Sequence, residues 1–274
     1  MIKPYLIFMP LFCLMSTLAV AQKTKEESAS QQPDVKRWEV GVGLGGLTAP
    51  DYKGSKTYHE YIAPLPYVVY RGPVIRTDRD GVRGDFLRTD SIELNASMAL
   101  SITPDSDKNA LRLGMPELLS TLEVGPAVNI NLTGEHFSDG LSLSIPLRAV
   151  FTVGDGSPDY IGITSTPSLI YRLDHGDGWR WTLRAGPVLA SGKYHDYYYS
   201  VKPEYVTPER PEFNARSGYN GFNGQVSLSR RFSDYWYAFY FRYSNIQGAD
   251  FVDSPLVETE HNAVAGFAVS WVFL

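Results

Sequence analysis

From Ser91 to Thr103 the chain reads SIELNASMALSIT, and apolar and polar positions alternate along it. Ile92, Leu94, Ala96, Met98, Leu100 and Ile102 fall on one side. Ser91, Glu93, Asn95, Ser97, Ser101 and Thr103 fall on the other, with Ala99 the one apolar residue among them. A period of two is that of a β-strand with one apolar and one polar face. The pattern recurs at 38–44, 118–132, 141–151, 160–173, 179–190, 222–231 and 236–245. In the last of these Tyr237, Phe239, Phe241 and Tyr243 oppose Ala238, Arg242 and Ser244. The chain closes on a further such run, in which Phe267, Val269, Trp271 and Phe273 face one way and Gly266, Ala268 and Ser270 the other.

Strand length decides between the two architectures that alternate this way. Strands of soluble two-sheet sandwiches have a mode of about 5–6 residues. A strand that crosses a membrane needs roughly 9–11, and most of the runs here reach that length. Connections alternate too. Long ones at 48–60, 104–117, 193–221 and 248–260 are interleaved with tight ones such as Asp174–Gly178 and Ser233–Tyr235. That asymmetry is expected of an outer-membrane barrel with short periplasmic turns and long outer loops. The pattern predicts an all-β, antiparallel transmembrane β-barrel of about 12 strands. The weakest pair lies in 74–88, with a hairpin turn at Asp80-Gly81; without it the number is 10. A barrel pairs its last strand with its first, which explains a terminus that stops on aromatic residues with no polar tail.

The N-terminus is organised differently. Lys3 is followed by an apolar stretch from Tyr5 to Met15 and by Ala19-Val20-Ala21. This is the plan of a secretory signal peptide, residues 1–21, cut between Ala21 and Gln22. The apolar stretch is too short for a spanning helix. The single cysteine, Cys13, lies inside it and follows Phe12, which is not the small residue a lipoprotein signal would place there. Removing 21 of 274 residues leaves 253 without cysteine, so disulfides play no part in the exported chain. Residues 22–36 (QKTKEESASQQPDVK) are polar and lack the apolar groups that would order them. They read as a periplasmic segment ahead of a barrel spanning 37–274. The net charge of −5 offers no basic footprint for nucleic acid. Abundant tyrosine (18, beside 13 Phe and 5 Trp) suits an aromatic belt in contact with outer-membrane lipid.

If the apolar faces meet lipid, the polar faces line the lumen. Glu39, Glu93 and Glu123, with Arg148, Arg172, Arg180, Arg184 and Arg242, are then lumen-facing charges, since a charge on the lipid face costs roughly 2–4 kcal/mol at the midplane. Two readings stay open: a lumen filled by side chains and Arg–carboxylate pairs, or a charged pore constriction. Barrels of 8 strands are filled and those of about 16 leave a channel.

Catalytic constellations do not emerge. His59, His136, His175, His195 and His261 fall in loops, turns or at strand rims. His195-Asp196 resembles the pairs of outer-membrane proteases, but sits in a Tyr-rich loop. Arg242-Tyr243-Ser244-Asn245 is similar to the His-x-Ser-Asn stretch of outer-membrane lipid A deacylases, with arginine where the general base would be. Asp250, Asp253, Glu258 and Glu260 read as a solvated acidic loop sooner than a divalent-ion site. Neither zinc spacing nor a phosphate loop is found, and no catalytic, cofactor or metal residue is assigned. The 193–221 loop carries Tyr194, Tyr197, Tyr198, Tyr199 and Tyr205, contact area suited to a partner or to a folded plug.

Four stretches resemble the MipA/OmpV family of outer-membrane proteins, and the resemblance spans Trp38 to Phe273. They are Ala49-Pro-Asp-Tyr-Lys-Gly-Ser55, Pro64-Leu-Pro-Tyr67, Tyr198-Tyr-Ser-Val201 and Asp253-Ser-Pro-Leu-Val257. The resemblance implies an outer-membrane barrel without enzymatic activity. It also implies a scaffold that tethers a lytic transglycosylase to a bifunctional peptidoglycan synthase. Other members look like stress-responsive surface proteins or adhesins, and a narrow pore is a further alternative. Periplasmic contact features would be residues 22–36 and the turns around His136 and His175.

Overall fold

The computed structural model describes residues 38–70, 75–78, 81–101, 109–134, 137–154, 156 and 158–273. Ala21, Gln22, the 22–36 segment, His136 and the Asp80 turn position lie outside the described residues. Among the described residues thirteen antiparallel strands form one sheet. In chain order they are β1 (Trp38–Pro50), β2 (Tyr58–Tyr70), β3 (Ile75–Asp78), β4 (Gly81–Arg88), β5 (Ile92–Ser101), β6 (Ser120–Asn131) and β7 (Gly140–Val153). There follow β8 (Tyr160–Ser165), β9 (Ser168–His175), β10 (Trp179–Ala190), β11 (Gly218–Phe232), β12 (Tyr235–Asn245) and β13 (His261–Val272). The hydrogen-bonded path runs β2-β1-β13-β12-β11-β10-β8-β7-β6-β5-β4-β3, with β9 between β10 and β7. Its two ends, β2 and β3, follow each other in the chain and lie in contact. The sheet thus rolls into a barrel.

The number of crossings is twelve, because β8 and β9 share one place between β7 and β10. The alternation over 160–173 predicts a single strand there. Pro167, which cannot donate to a ladder, falls between the two pieces. The weak pair in 74–88 is present as β3 and β4, paired from Ile75↔Gly84 to Asp78↔Gly81. Boundaries elsewhere shift by a few residues. The 48–60 loop shrinks to 51–57 because β1 and β2 stay paired out to Pro50↔Tyr58. β11 begins at Gly218, so the long loop is 191–217. Leu118, assigned to a strand by its alternation, precedes β6 and is buried in a loop core instead.

The final strand is paired along both edges. β13 pairs with β12 on one side and with β1 on the other, from Thr48↔Ala265 to Gly41↔Val272. Phe273 N–H donates to the Val40 carbonyl at 3.0 Å. The terminal aromatic run is therefore hydrogen-bonded on both edges, while Trp271 and Phe273 keep 50% and 55% of their surface exposed on the outer face. The same outward positions around the barrel carry Tyr237, Phe239, Phe241, Leu183, Leu169 and Ile145, all exposed. An apolar belt this large suits lipid and not water.

Candidate functional site

Two features fill the barrel: a packed plug at the end of the long loops and a polar cavity beneath it. The plug begins with the loop from 191 to 217. Its first part is a helix, α1 (Gly192–Tyr199), whose N-cap is Ser191 in extended conformation, its hydroxyl accepting from Tyr194 N–H. The chain then folds back on itself through paired bridges, Val201↔Phe213 and Thr207↔Arg210. One wall position lets the helix in. Gly162 of β8 has φ +133°, and a Cβ there would lie 2.4 Å from Ser191 Oγ and 2.7 Å from the Tyr194 nitrogen. Only glycine leaves room for the helix to touch the sheet.

Other loops pack on this one. Tyr52, Leu118, Val150, Ile161, Tyr198, Tyr199, Val201, Ile246, Phe251 and Leu256 form one buried cluster drawn from loops and strand ends. Three of the four stretches that carry the family resemblance meet here. Tyr52 Oη donates to the Leu256 carbonyl at 2.8 Å, Tyr199 Oη to the Lys53 carbonyl at 3.0 Å, and Ser254 Oγ to the Tyr199 carbonyl at 2.7 Å. Buried arginines lace the remaining backbone. Arg112 donates to the Tyr198 and Pro116 carbonyls, and Arg210 to those of Leu111, Leu113 and Tyr205. The acidic 246–260 loop is part of this packing: Phe251 and Leu256 are fully buried. Glu258 accepts from Lys56 N–H, and Asp250 from Tyr219 N–H. The four acidic residues themselves stay toward solvent, with Asp250, Asp253 and Glu258 exposed, while the apolar residues between them, Phe251 and Leu256, draw the loop backbone onto the plug.

His195 belongs to the plug. It is fully buried, with Nδ1 against the Arg216 carbonyl and Nε2 2.9 Å from Asn220 Nδ2. That geometry fixes the neutral tautomer, with Nδ1–H donating and Nε2 accepting. Burial pushes its pKa below the ordinary value. Both ring nitrogens are engaged structurally, and neighbouring Asp196 accepts from Ser200 Oγ at 2.7 Å on the exposed side. Burial likewise pushes the pKa of the Tyr52, Tyr198 and Tyr199 hydroxyls upward, so they remain neutral.

Below the plug lies a cavity of about 540 Å³. Of the eight lumen charges read from the sequence, five line it: Glu123, Arg148, Arg172, Arg184 and Arg242. Glu123 pairs with Arg148 at 3.5 Å and accepts from Thr164 Oγ1 at 3.1 Å. Arg148 also donates to Ser97 Oγ, at 2.7 and 3.0 Å. Arg172 is buried and donates to the Phe137 carbonyl and Ser142 Oγ. The other three stand apart from the cavity lining. Glu39 accepts from Tyr67 Oη at 3.2 Å. Glu93 is buried and accepts from Asn95 Nδ2 at 2.7 Å. Arg180 pairs with Asp174 beside the 176–178 turn.

Sequence reasoning missed the cation that comes from the plug. Lys53, in the 51–57 loop, lines the cavity and donates through Nζ to Asn220 Oδ1 at 2.7 Å. Burial, and next the nearby charge of Arg242, push its pKa down to about 7, while Glu123 acts in the opposite direction. No periodicity marks a loop residue, so its inward position carries no signal in the sequence.

A long antiparallel sheet rolled on itself, apolar outside and charged within, defines a transmembrane β-barrel of the outer-membrane kind. The chain belongs to the family described as MltA-interacting protein MipA, whose match covers residues 42–273. Among solved structures it is similar to the NanC porin, with 10% identity over 84% of this chain and 98% of that one, and a TM-score of 0.38. It is similar also to the Pseudomonas putida toluene transporter TodX, with 10% identity over 88% and 90% of the two chains and a TM-score of 0.37. No curated protein matches the sequence.

Proposed function

We propose that this outer-membrane barrel is a non-enzymatic scaffold that holds peptidoglycan-remodelling enzymes, a lytic transglycosylase and a murein synthase, at the periplasmic face of the membrane. Membership of a family described as MltA-interacting carries this reading. The fold is compatible with it. The end bearing the long loops is packed into a plug, with Tyr52, Tyr198 and Tyr199 buried and Tyr194, Tyr197 and Tyr205 partly buried. The opposite end has tight connections at 89–91, 176–178 and 233–234. In this reading residues 1–21 direct export and are removed after Ala21.

The test is periplasmic crosslinking followed by purification of the tagged barrel. Recovery of a lytic transglycosylase or a peptidoglycan synthase above an unrelated-barrel control is the expected result. A barrel recovered without either enzyme would overturn the reading. Deleting residues 22–36 and replacing the turns around His136 and His175 should abolish recovery while leaving the barrel folded. The second reading, a narrow pore, is favoured by the charged cavity inside the barrel. It requires single-channel conductance in a planar bilayer, and a closed trace eliminates it.

A further inference from the structure

The cavity is charged unevenly. Among the described residues its lining holds the basic side chains Lys53, Arg148, Arg172, Arg184 and Arg242 and the carboxylates Asp51 and Glu123. Both carboxylates are already engaged. Glu123 faces Arg148. Asp51 lies 2.9 Å from His59 Nε2 and accepts from Asn109 Nδ2 at 2.7 Å. Two of the arginines lie along one wall. Arg184 stands opposite Gln225 in the β10–β11 register, and Gln225 stands opposite Arg242 in the β11–β12 register. The three side chains form a row across adjacent strands, about 4.8 Å per step. All three line the cavity, and Arg242 Nε is buried without a hydrogen-bond partner among the described residues. Asn223 Oδ1, two residues before Gln225, is in the same condition.

The plug brings a further cation to this wall. Lys53 stands near enough to Arg242 for the two charges to repel. Tyr194, at the underside of α1, also lines the cavity and feels both Arg242 and Glu123. Cations held together away from bulk water are costly unless an anion joins them. Arginine forks are suited to the planar oxygens of carboxylates and phosphates.

We propose that the cavity is a binding site for a small oxyanion, a solute bearing a carboxylate or phosphate group. The Arg184–Gln225–Arg242 row holds it, and Lys53 covers it from the plug. About 540 Å³ falls within the range of small-molecule sites and accommodates a solute of monosaccharide size. The inference is independent of the scaffold role. A barrel that recruits no cell-wall enzyme could still bind the anion.

The experiment uses the full-length barrel, purified in an uncharged detergent at low salt. Heat denaturation is followed with increasing glucuronate, inorganic phosphate or glucose. Saturable stabilisation by glucuronate or phosphate, with glucose inert, is the expected result, and the two anions separate carboxylate from phosphate recognition. Arg242→Gln should weaken the effect at least about tenfold, the worth of one charge-assisted contact. Arg180→Gln, outside the cavity, should leave it unchanged. Gln225→Glu guards against a variant that merely misfolds. It places a carboxylate between the two arginines, so the barrel should melt higher without ligand and lose its response to anions. Equal stabilisation by glucose and glucuronate overturns the proposal. So does the absence of anion-specific stabilisation, or a Gln225→Glu barrel that still responds like the wild type.

Discussion

Tyr199 and Phe251 lie face to face, ring centroids 3.6 Å apart and planes within 8°. One ends the helix of the 191–217 loop and the other sits in the 246–260 loop, so this stack joins the two largest parts of the plug. His195 meets Phe251 edge-on at 4.9 Å. Phe251→Ala should remove the centre of the cluster at a local cost of about 3–5 kcal/mol, the usual range for a buried phenylalanine. The barrel, held by its own ladder, should stay folded. Limited proteolysis would show cleavage within 191–217 in the variant, at protease levels that leave the native loop intact.

Gly162 makes the plug's contact with the wall. Gly162→Val places atoms where Ser191 Oγ and the Tyr194 nitrogen already stand, and at a φ that side chains rarely adopt. The helix should be displaced and the cavity opened to water. Amide exchange of residues 192–199 should accelerate by at least about tenfold, as for a segment moved from a packed to a locally open state. Unchanged exchange would mean that the wall yields instead.

Lys53 gives the plug a dependence on pH. Its ammonium titrates at about 7 when packed and near 10.5 when released. Between these values the released loop binds more protons than the packed one. The packed state therefore gains stability as pH rises from about 7 toward 10, and the gain is absent below about 7. Protection of the plug from proteolysis should be greater at pH 9 than at pH 6. In Lys53→Met the difference should shrink to the part that buried His195, whose pKa is also lowered, contributes near pH 6.

Glu123 and Arg148 form the cavity's ion pair, largely shielded from solvent on both sides. A double-mutant cycle with Glu123→Gln and Arg148→Gln should return a coupling of about 0.5–3 kcal/mol in thermal unfolding. Glu123→Gln alone also removes one of the two carboxylates that line the cavity among the described residues. It should tighten anion binding, whereas a site indifferent to charge would not respond.

Strand alternation is a local property, which is why so much of the barrel is legible in the order of residues alone. The outward faces of β5, β12 and β13 follow from spacing, because a period of two sends alternate side chains to opposite sides whatever their neighbours are. The same period sends Arg148, Arg172, Arg184 and Arg242 inward and requires a partner for the terminal strand. It does not reveal the break at Pro167 into two ladder segments, since alternation continues across it.

The loops obey no period, and there the sequence determined little. Tyr199 and Lys53 are 146 residues apart, and Tyr52 and Leu256 are 204 apart. Nothing local indicates that these residues touch. Rolling of the sheet brings the strand ends together, and loops springing from them bury their aromatic residues against one another. The chain by itself determined a lipid-facing barrel with a charged lumen. Only the tertiary structure decided that the Tyr-rich loop is a plug, that His195 is a neutral strut, and that Lys53 reaches the cavity that Arg184 and Arg242 also line.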